Sequence, residues 1–235
     1  THDMLLFMVK KAFFDMWDNF LAVVIFNLGF IVLLMVPIWL PTVVVGASVL
    51  GALLVQSVGI LVVFVYAAAV SMICKDIAHY EKAEFRNFIS YLKETWTSGL
   101  VLGLFYVAIT FVFRIGVPVY SAMGNFLGLA AIVFLLWAVV IFALSSQFFF
   151  PARAQLDTKI IKALKKSFII FFDNTFFALF LAIGTIVTTG LSIFTALLIP
   201  GITGVLIWHQ VGLKLRLYKY DYLEENPDAN RRQIP

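Results

Sequence analysis

The sequence predicts an all-α membrane protein: a polytopic bundle of about six transmembrane helices, arranged as three pseudo-repeated hairpins that are each led in by an amphipathic interfacial helix. Composition is the first observation, since 63% of the 235 residues are hydrophobic, 13% are charged and the mean hydropathy is +1.01. A soluble domain is nearer half apolar and a quarter charged, so lipid is the favoured solvent. The other two observations are long apolar runs and a one-sided distribution of charge.

Five apolar runs are long enough to cross a bilayer, which takes about 20 helical residues. They are residues 19–40, 43–73, 99–119, 127–150 and 174–199. A sixth run, 201–218, begins apolar and then contains His209, Gln210, Lys214 and Arg216. We interpret it as a sixth span with a polar cytoplasmic half. The alternative is a helix that enters the membrane without crossing it.

A proline stands at the far end of each odd-numbered span, at Pro41, Pro118 and Pro200. Proline lacks an N–H group and disfavours helix in the residue before it. Each of the three is therefore predicted to lie in the turn that joins two spans.

Charge predicts the orientation of the chain. Of the 17 Lys and Arg residues, all but Arg114 fall on the N-terminal side of the six-span arrangement, as do all 13 Asp and Glu residues. The positive-inside rule places that side in the cytoplasm. The sequence thus predicts a multi-pass plasma (inner) membrane protein with both ends in the cytoplasm, and it shows no pattern of a cleavable signal peptide.

The chain reads as one transmembrane domain, residues 1–235, with pseudo-repeats over about 4–75, 80–150 and 155–220 and a polar C-terminal tail over 221–235. The residues before the first span, Lys10-Lys11 and Trp17-Asp18-Asn19, correspond to Lys165-Lys166 and Phe172-Asp173-Asn174 before the fifth. The middle repeat is weaker.

The segments that precede the spans are typical of helices lying in the membrane surface. In the third unit, one helical face carries Leu156, Ile160, Leu164, Phe168 and Phe171, and the lysines fall mainly elsewhere. Such lysines favour anionic lipids of the inner leaflet. The predicted lipid-headgroup contacts are Lys10, Lys11, Lys159, Lys162, Lys165 and Lys166.

The two Asp-Asn pairs are predicted to cap helices. Asp18, Asn19, Asp173 and Asn174 stand where a surface helix gives way to a span. Asp and Asn side chains accept hydrogen bonds from the unpaired N–H groups of a helix start, and negative charge suits that end of the helix dipole. Small residues at four-residue spacing, Gly99/Gly103 and Gly124/Gly128, predict close helix packing.

Polar side chains inside the spans are the candidates for function. They are Asn27, Gln56, Gln147, His209 and Gln210, with Arg114 near the outer face. They could line a small polar cavity or contact a partner subunit. The competing interpretation is hydrogen bonding between helices, at about 0.5–2 kcal/mol each. No Asp or Glu lies in a predicted span and the histidines lack ligand spacing, so no catalytic residue, metal site or cofactor is predicted.

The first span resembles a known family. Phe14, Trp17-Asp18-Asn19, Asn27-Leu28, Pro37, Pro41-Thr42 and Gly46-Ala47 are similar to the N-terminal signature of the YesL-like family, small bacterial multi-span membrane proteins of unknown function. The resemblance covers residues 10–50 well and the rest in layout. It implies a bacterial plasma-membrane protein in a family often linked with carbohydrate ABC importers, and it carries over no catalytic residue.

Two functions fit these patterns best. The first is a non-enzymatic accessory or scaffold subunit that associates with another membrane protein or transporter, or with copies of itself. The alternative is a small transporter or channel with a polar cavity near His209 and Gln210. A lipid-modifying enzyme has only the basic surface helices in its favour. No nucleic-acid partner is expected, since no base-reading motif accompanies the basic residues.

Overall fold

The computed structural model describes residues 2–228, and every regular element in that range is helical, which confirms the all-α part of the predicted fold class. A 3₁₀-helix, Phe85–Asn87, leads into α5, and a π-helix, Val112–Gly116, joins α5 to α6. The α-helices are α1 His2–Asp18, α2 Phe20–Ile38, α3 Leu40–Val44, α4 Val49–Ala78, α5 Phe88–Phe111, α6 Val117–Ala122, α7 Phe126–Ser146, α8 Phe149–Gln155, α9 Ile160–Asp173, α10 Thr175–Phe194 and α11 Gly201–Glu225.

Within residues 2–228, five helical stretches are long and apolar enough to cross a membrane. They are Phe20–Val44, Val49–Ala78, Asn87–Ala122, Phe126–Gln155 and Thr175–Phe194. These match the five apolar runs of the sequence. The third begins well before Gly99, because the more polar residues from Phe88 onward continue the same helix.

Two of the three prolines lie outside the turns predicted for them. Pro41 is in the first turn of α3 and Pro118 in the first turn of α6. A helix tolerates proline there because the N–H groups of the first turn have no partner within the helix. The chain reverses after these short helices, near residues 45–48 and 123–125, whereas Pro200 does end the turn before α11.

The predicted tail is helical at its beginning. α11 continues through Tyr222 and ends at Glu225. The first residues of the predicted tail, 221–225, therefore extend the helix by little more than one turn. The remainder of the predicted tail, residues 229–235, lies outside the described residues.

The outer surface of the bundle is apolar. Phe134 and Trp137 on α7 are 73% and 63% exposed, and Phe194 on α10 is 89% exposed. α2 and α5 also expose large apolar side chains, as does the N-terminal half of α4 as far as Val62. Contiguous apolar surface of this extent marks contact with a membrane or another protein. Together with the five apolar helices, it identifies the chain as a membrane protein.

The core is built around α11, although α11 is not among the five apolar helices. Ile207, Val211 and Leu213 are fully buried, and Lys214 and Arg216 are 7% and 6% exposed. The helix contacts α1, α2, α4, α8 and α10. Because protein surrounds it, its polar side chains meet other side chains and carbonyl groups instead of lipid.

α11 contacts the C-terminal part of α4 through several side chains. The Cys74 thiol lies 3.8 Å from the Thr203 carbonyl oxygen, Gln210 bonds to Ser71, and the Lys214 ammonium donates to the Ala78 carbonyl at 2.8 Å. These contacts do not advance in step along the two helices, as they would between parallel or antiparallel neighbours. α11 thus packs on the C-terminal end of α4.

Two glycines allow α5 to lie directly against α4. A Cβ atom at Gly99 would lie 2.5 Å from Cα of Val65, and one at Gly103 would lie 3.0 Å from Cδ2 of Leu61. The predicted close approach is confirmed for this pair. Gly124 instead lies in a turn with φ +61°, and Gly128 faces the Tyr120 carbonyl of its own hairpin, so that pair does not join two long helices.

Gly99→Ala is expected to lower the free energy of unfolding by about 1–3 kcal/mol, because the added methyl group collides with the backbone of α4. Gly190→Ala on α10 is the matched control, since nothing lies within 4 Å of its Cβ position. That change is expected to be neutral or to stabilise by about 0.5–1 kcal/mol. Thermal unfolding in a mild detergent compares them. Equal midpoints for the two variants would contradict the close helix contact.

Candidate functional site

Asn27, on α2, holds the turn between α10 and α11. Its Nδ2 donates to the carbonyl oxygens of Leu198 and Pro200, both at 2.8 Å, and its Oδ1 accepts the Thr203 N–H at 2.9 Å. The side chain is fully buried. Gly201 has φ +63°, and a Cβ atom there would lie 2.3 Å from Nδ2 of Asn27. Asn27 therefore fixes the start of α11, and glycine is required beside it.

Gln210 joins α11 to two other helices. Its Nε2 donates to the carbonyl oxygen of Ser71 at 3.1 Å and to the Ser71 hydroxyl at 2.8 Å, both on α4. Its Oε1 accepts from Nε2 of Gln155, on α8, at 2.7 Å. Gln210 is fully buried. Both ends of its amide are thus occupied by contacts between helices.

His209 and Gln147 border one cavity of about 510 Å³ between the first four spans and the α10–α11 hairpin. Nε2 of His209 lies 2.8 Å from the Thr185 hydroxyl, and Nε2 of Gln147 donates to the Ala178 carbonyl at 2.9 Å. Most of the wall is apolar, and its other polar members are Tyr106 and Ser146, which bond to each other at 2.7 Å.

Gln56 lies apart from the other candidates. It borders a separate cavity of about 410 Å³ with Arg114, Pro37 and Thr42, toward the opposite end of α4. The structure therefore brings two of the five polar residues, His209 and Gln147, to a common cavity. Asn27, Gln56 and Gln210 are placed elsewhere, and Asn27 and Gln210 make hydrogen bonds between helices.

The Asp-Asn pairs stand at helix junctions but do not cap, which corrects the prediction for Asp18, Asn19, Asp173 and Asn174. Neither α2 nor α10 receives a side-chain hydrogen bond at its start. Nδ2 of Asn19 donates backward to the Asp15 carbonyl at 3.0 Å, and Asn174 does the same to Ile170 at 3.2 Å.

The reason for this reversal is a break of only one residue between the helices. Asn19 and Asn174 have φ/ψ of −111°/27° and −134°/47°, which differs from the extended backbone of a capping residue. Their amides consequently reach the carbonyl groups of the helix behind them. The two junctions share this geometry, whereas α5 runs unbroken through the corresponding Trp96.

Two side-chain caps lie elsewhere, at turns on the opposite side of the bundle. The Ser48 hydroxyl accepts the Gly51 N–H at 3.0 Å, and Oδ1 of Asn125 accepts the Gly128 N–H at 2.9 Å. Sequence reasoning missed both. The available signal in the sequence was a small polar residue directly before an apolar run, with a glycine shortly before it. That glycine is Gly46 for Ser48 and Gly124 for Asn125.

Four of the six lysines predicted to contact headgroups, Lys10, Lys159, Lys162 and Lys165, are exposed, and Lys166 is half-buried. The amphipathic character of α9 is confirmed, with its apolar face packed on the protein core, as for Ile160 and Leu164. Leu156, predicted on the same face, lies before α9 at the end of α8 and also packs on the core.

Lys11 is a correction, because it is only 6% exposed. Its ammonium bonds to the Asp15 carboxylate at 2.7 Å and lies 3.8 Å from the ring centre of Tyr80. Burial raises the pKa of the Asp15 carboxyl above its ordinary value, and the Lys11 ammonium acts in the opposite direction. Lys11 thus binds within the protein and not at its lipid surface.

Two cations of α11 lie in the protein and were not predicted as site residues. The Lys214 ammonium lies 4.5 Å from the ring centre of Tyr80, and the Lys11 ammonium contacts the same ring. The Arg216 guanidinium lies 4.1 Å from the ring centre of Phe177. Their burial could have been inferred from the sequence, because both lie on a helix that begins as an apolar span.

Within residues 2–228, no three His, Cys, Asp or Glu side chains lie together as a set of metal ligands would. Comparison of the chain with protein-family models, with curated proteins and with solved structures found no match.

Asn27→Ala is expected to lower the free energy of unfolding by about 1–3 kcal/mol, because it leaves the Thr203 N–H and the Leu198 carbonyl without partners and removes one of two bonds to the Pro200 carbonyl. Asn19→Ala is the matched control, since that amide makes one partly buried bond to the Asp15 carbonyl. Thermal unfolding in detergent is the measurement. A smaller loss in Asn27→Ala than in Asn19→Ala would refute the role of Asn27.

Proposed function

We propose that this chain is a non-enzymatic integral membrane protein that acts as an accessory or scaffold subunit, bound to another membrane protein or transporter or to copies of itself. The supporting observation is that the intramembrane polar groups Asn27, Gln147 and Gln210 are bonded within the fold. Side chains already paired in this way hold helices together and are not poised for chemistry or transport. α5 and α7, by contrast, bury little of their apolar length within the chain.

The proposal includes six spans with both ends in the cytoplasm of a bacterial plasma membrane. α11 has 25 residues, about 37 Å of helix, which exceeds a hydrocarbon core of about 30 Å. The low hydropathy of α11 would argue against a span if its polar side chains faced lipid. They are surrounded by protein instead, so a polar helix can still cross the membrane here. The one-sided charge supports the orientation, and the resemblance to the YesL-like family supports the membrane type.

The internal repeat and the lipid contacts are further parts of the proposal. The common geometry of the α1–α2 and α9–α10 junctions supports a relation between the first and third hairpins. The exposure of Lys10, Lys159, Lys162 and Lys165 supports contact with anionic headgroups of the inner leaflet.

Affinity purification at native expression, followed by mass spectrometry, is expected to recover a membrane-protein partner, or a second copy of the chain, in stoichiometric amount. A photoreactive residue at Trp137, which is 63% exposed on α7, should crosslink to that partner. The matched control is Phe148, which is fully buried and should not crosslink between chains. A monomer that crosslinks to no protein from either position would argue strongly against the accessory role.

The alternative is a small transporter or channel, and the observation in its favour is the cavity shared by Gln147, Thr185 and His209. A transport path must admit water and substrate to such a cavity. The accessory role instead predicts that hydrogen-bonded packing excludes water and substrate from this cavity.

Thr185→Cys in a Cys74→Ala background separates the two functions. The accessory role predicts that a water-soluble thiol reagent leaves this cysteine unmodified in intact membranes, because the site is closed. Ser121→Cys, exposed near the turn after α6, is the reactive control. Modification of position 185 at a rate near that of position 121 would favour a transport path.

A further inference from the structure

We infer that a cleft between α1 and α10 binds one lipid whose headgroup carries a singly charged phosphodiester, with the phosphate beside Arg216 and an acyl chain in the apolar remainder. The inference depends on the membrane embedding proposed above, with the start of α10 at headgroup level. It does not depend on the accessory role.

The polar end of the cleft is a cavity of about 270 Å³ that Arg216 borders. Arg216 is only 6% exposed, its Nε has no hydrogen-bond partner, and within residues 2–228 it forms no ion pair. The Asp173 carboxylate in the same wall acts on the guanidinium without forming a direct ion pair. A guanidinium stays protonated, and a buried cation without a direct ion pair is costly. An anion in the adjoining cavity would give the guanidinium a direct partner.

The start of α10 borders the same cavity through Thr175 and Phe176. No side chain caps this 20-residue helix, because Asn174 has a backbone conformation unlike that of a capping residue and its Nδ2 donates to the Ile170 carbonyl and the Tyr220 hydroxyl. The first N–H groups of a helix and its positive dipole end favour an anion, phosphate in particular. This feature and the unpaired guanidinium point independently to the same ligand.

The charge of the cavity fits a monoanion. Arg216 and Lys219 are the cations in its wall, and Asp173 is the carboxylate. The Tyr220 hydroxyl donates to that carboxylate at 2.6 Å, which holds Asp173 in place. One net positive charge remains, and guanidinium binds phosphate oxygens with better geometry than other cations do.

A second, apolar cavity of about 510 Å³ lies beside the first, also between α1 and α10, and Phe180 borders both. Successive turns of α1 contribute Leu5 at the polar end and then Val9 and Phe13. From Phe177 to Leu191, α10 extends about 21 Å, more than half of a hydrocarbon core of about 30 Å. One charged end and one long apolar end match an amphiphile, which is why a lipid is favoured over free phosphate.

The test is a titration of the purified protein in a neutral detergent with phosphatidylglycerol, with phosphatidylcholine, and with inorganic phosphate at millimolar concentration. Thermal unfolding and native mass spectrometry are the readouts. The variant is Arg216→Gln, and the matched control is Arg86→Gln, whose side chain is 82% exposed. A second variant, Val187→Trp, fills the apolar cavity without touching the polar end.

Phosphatidylglycerol is expected to raise the unfolding midpoint and to remain bound at one molecule per chain, with weaker effects from the other two ligands. Arg216→Gln should weaken that affinity at least tenfold, Val187→Trp should also weaken it, and Arg86→Gln should not. Without lipid, Arg216→Gln should be at least as stable as the unchanged protein, because it removes an unpaired charge. This result would distinguish a ligand contact from a structural one.

Three results would overturn the inference. Equal stabilisation by phosphatidylcholine would remove the headgroup assignment, and equal stabilisation by inorganic phosphate would assign a soluble anion. Unchanged phosphatidylglycerol affinity in Arg216→Gln would remove the site itself. None of these results bears on whether a protein partner co-purifies.

Discussion

α11 carries an amide and two cations into the centre of the bundle, and the helices packed against it supply partners for most of these groups. An unpaired polar group in hydrocarbon costs several kcal/mol, so this pairing constrains how the helices pack. Asn27 from α2, Ser71 from α4 and Gln155 from α8 contribute directed hydrogen bonds. Apolar contacts alone would specify the helix positions poorly, because lipid competes for them.

This constraint explains which parts of the fold could be predicted from the sequence. Apolar runs identified the five lipid-facing helices, since hydropathy reports contact with lipid directly. α11 was the weakest predicted span for the same reason, because a helix enclosed by protein does not need an apolar surface. Its central place in the core depends on Asn27 and Thr203, which are 176 residues apart in the chain, and no local pattern reports such a pairing.

The sequence indicated which residues matter to the fold more reliably than it indicated what each of them does. Polar residues in the spans do matter to the fold, but their partners are backbone carbonyl groups and amides on distant helices, as for Gln147 and Ala178. Asn19 and Asn174 were expected to cap and instead bond backward, because a break of one residue changes the direction of the amide. Lys11 could have been assigned from its spacing to Asp15, four residues along a helix, which favours an ion pair over a headgroup contact.

The measurement that tests the account most directly is the side of the membrane on which α11 ends. Glu224→Cys, Glu84→Cys and Gly46→Cys, each in a Cys74→Ala background, would be labelled with an impermeant maleimide in right-side-out and inverted vesicles. If α11 crosses the bilayer within the bundle, positions 224 and 84 react from the same side and position 46 from the other. If position 224 reacts together with position 46, α11 does not cross, and a buried polar sixth span is contradicted.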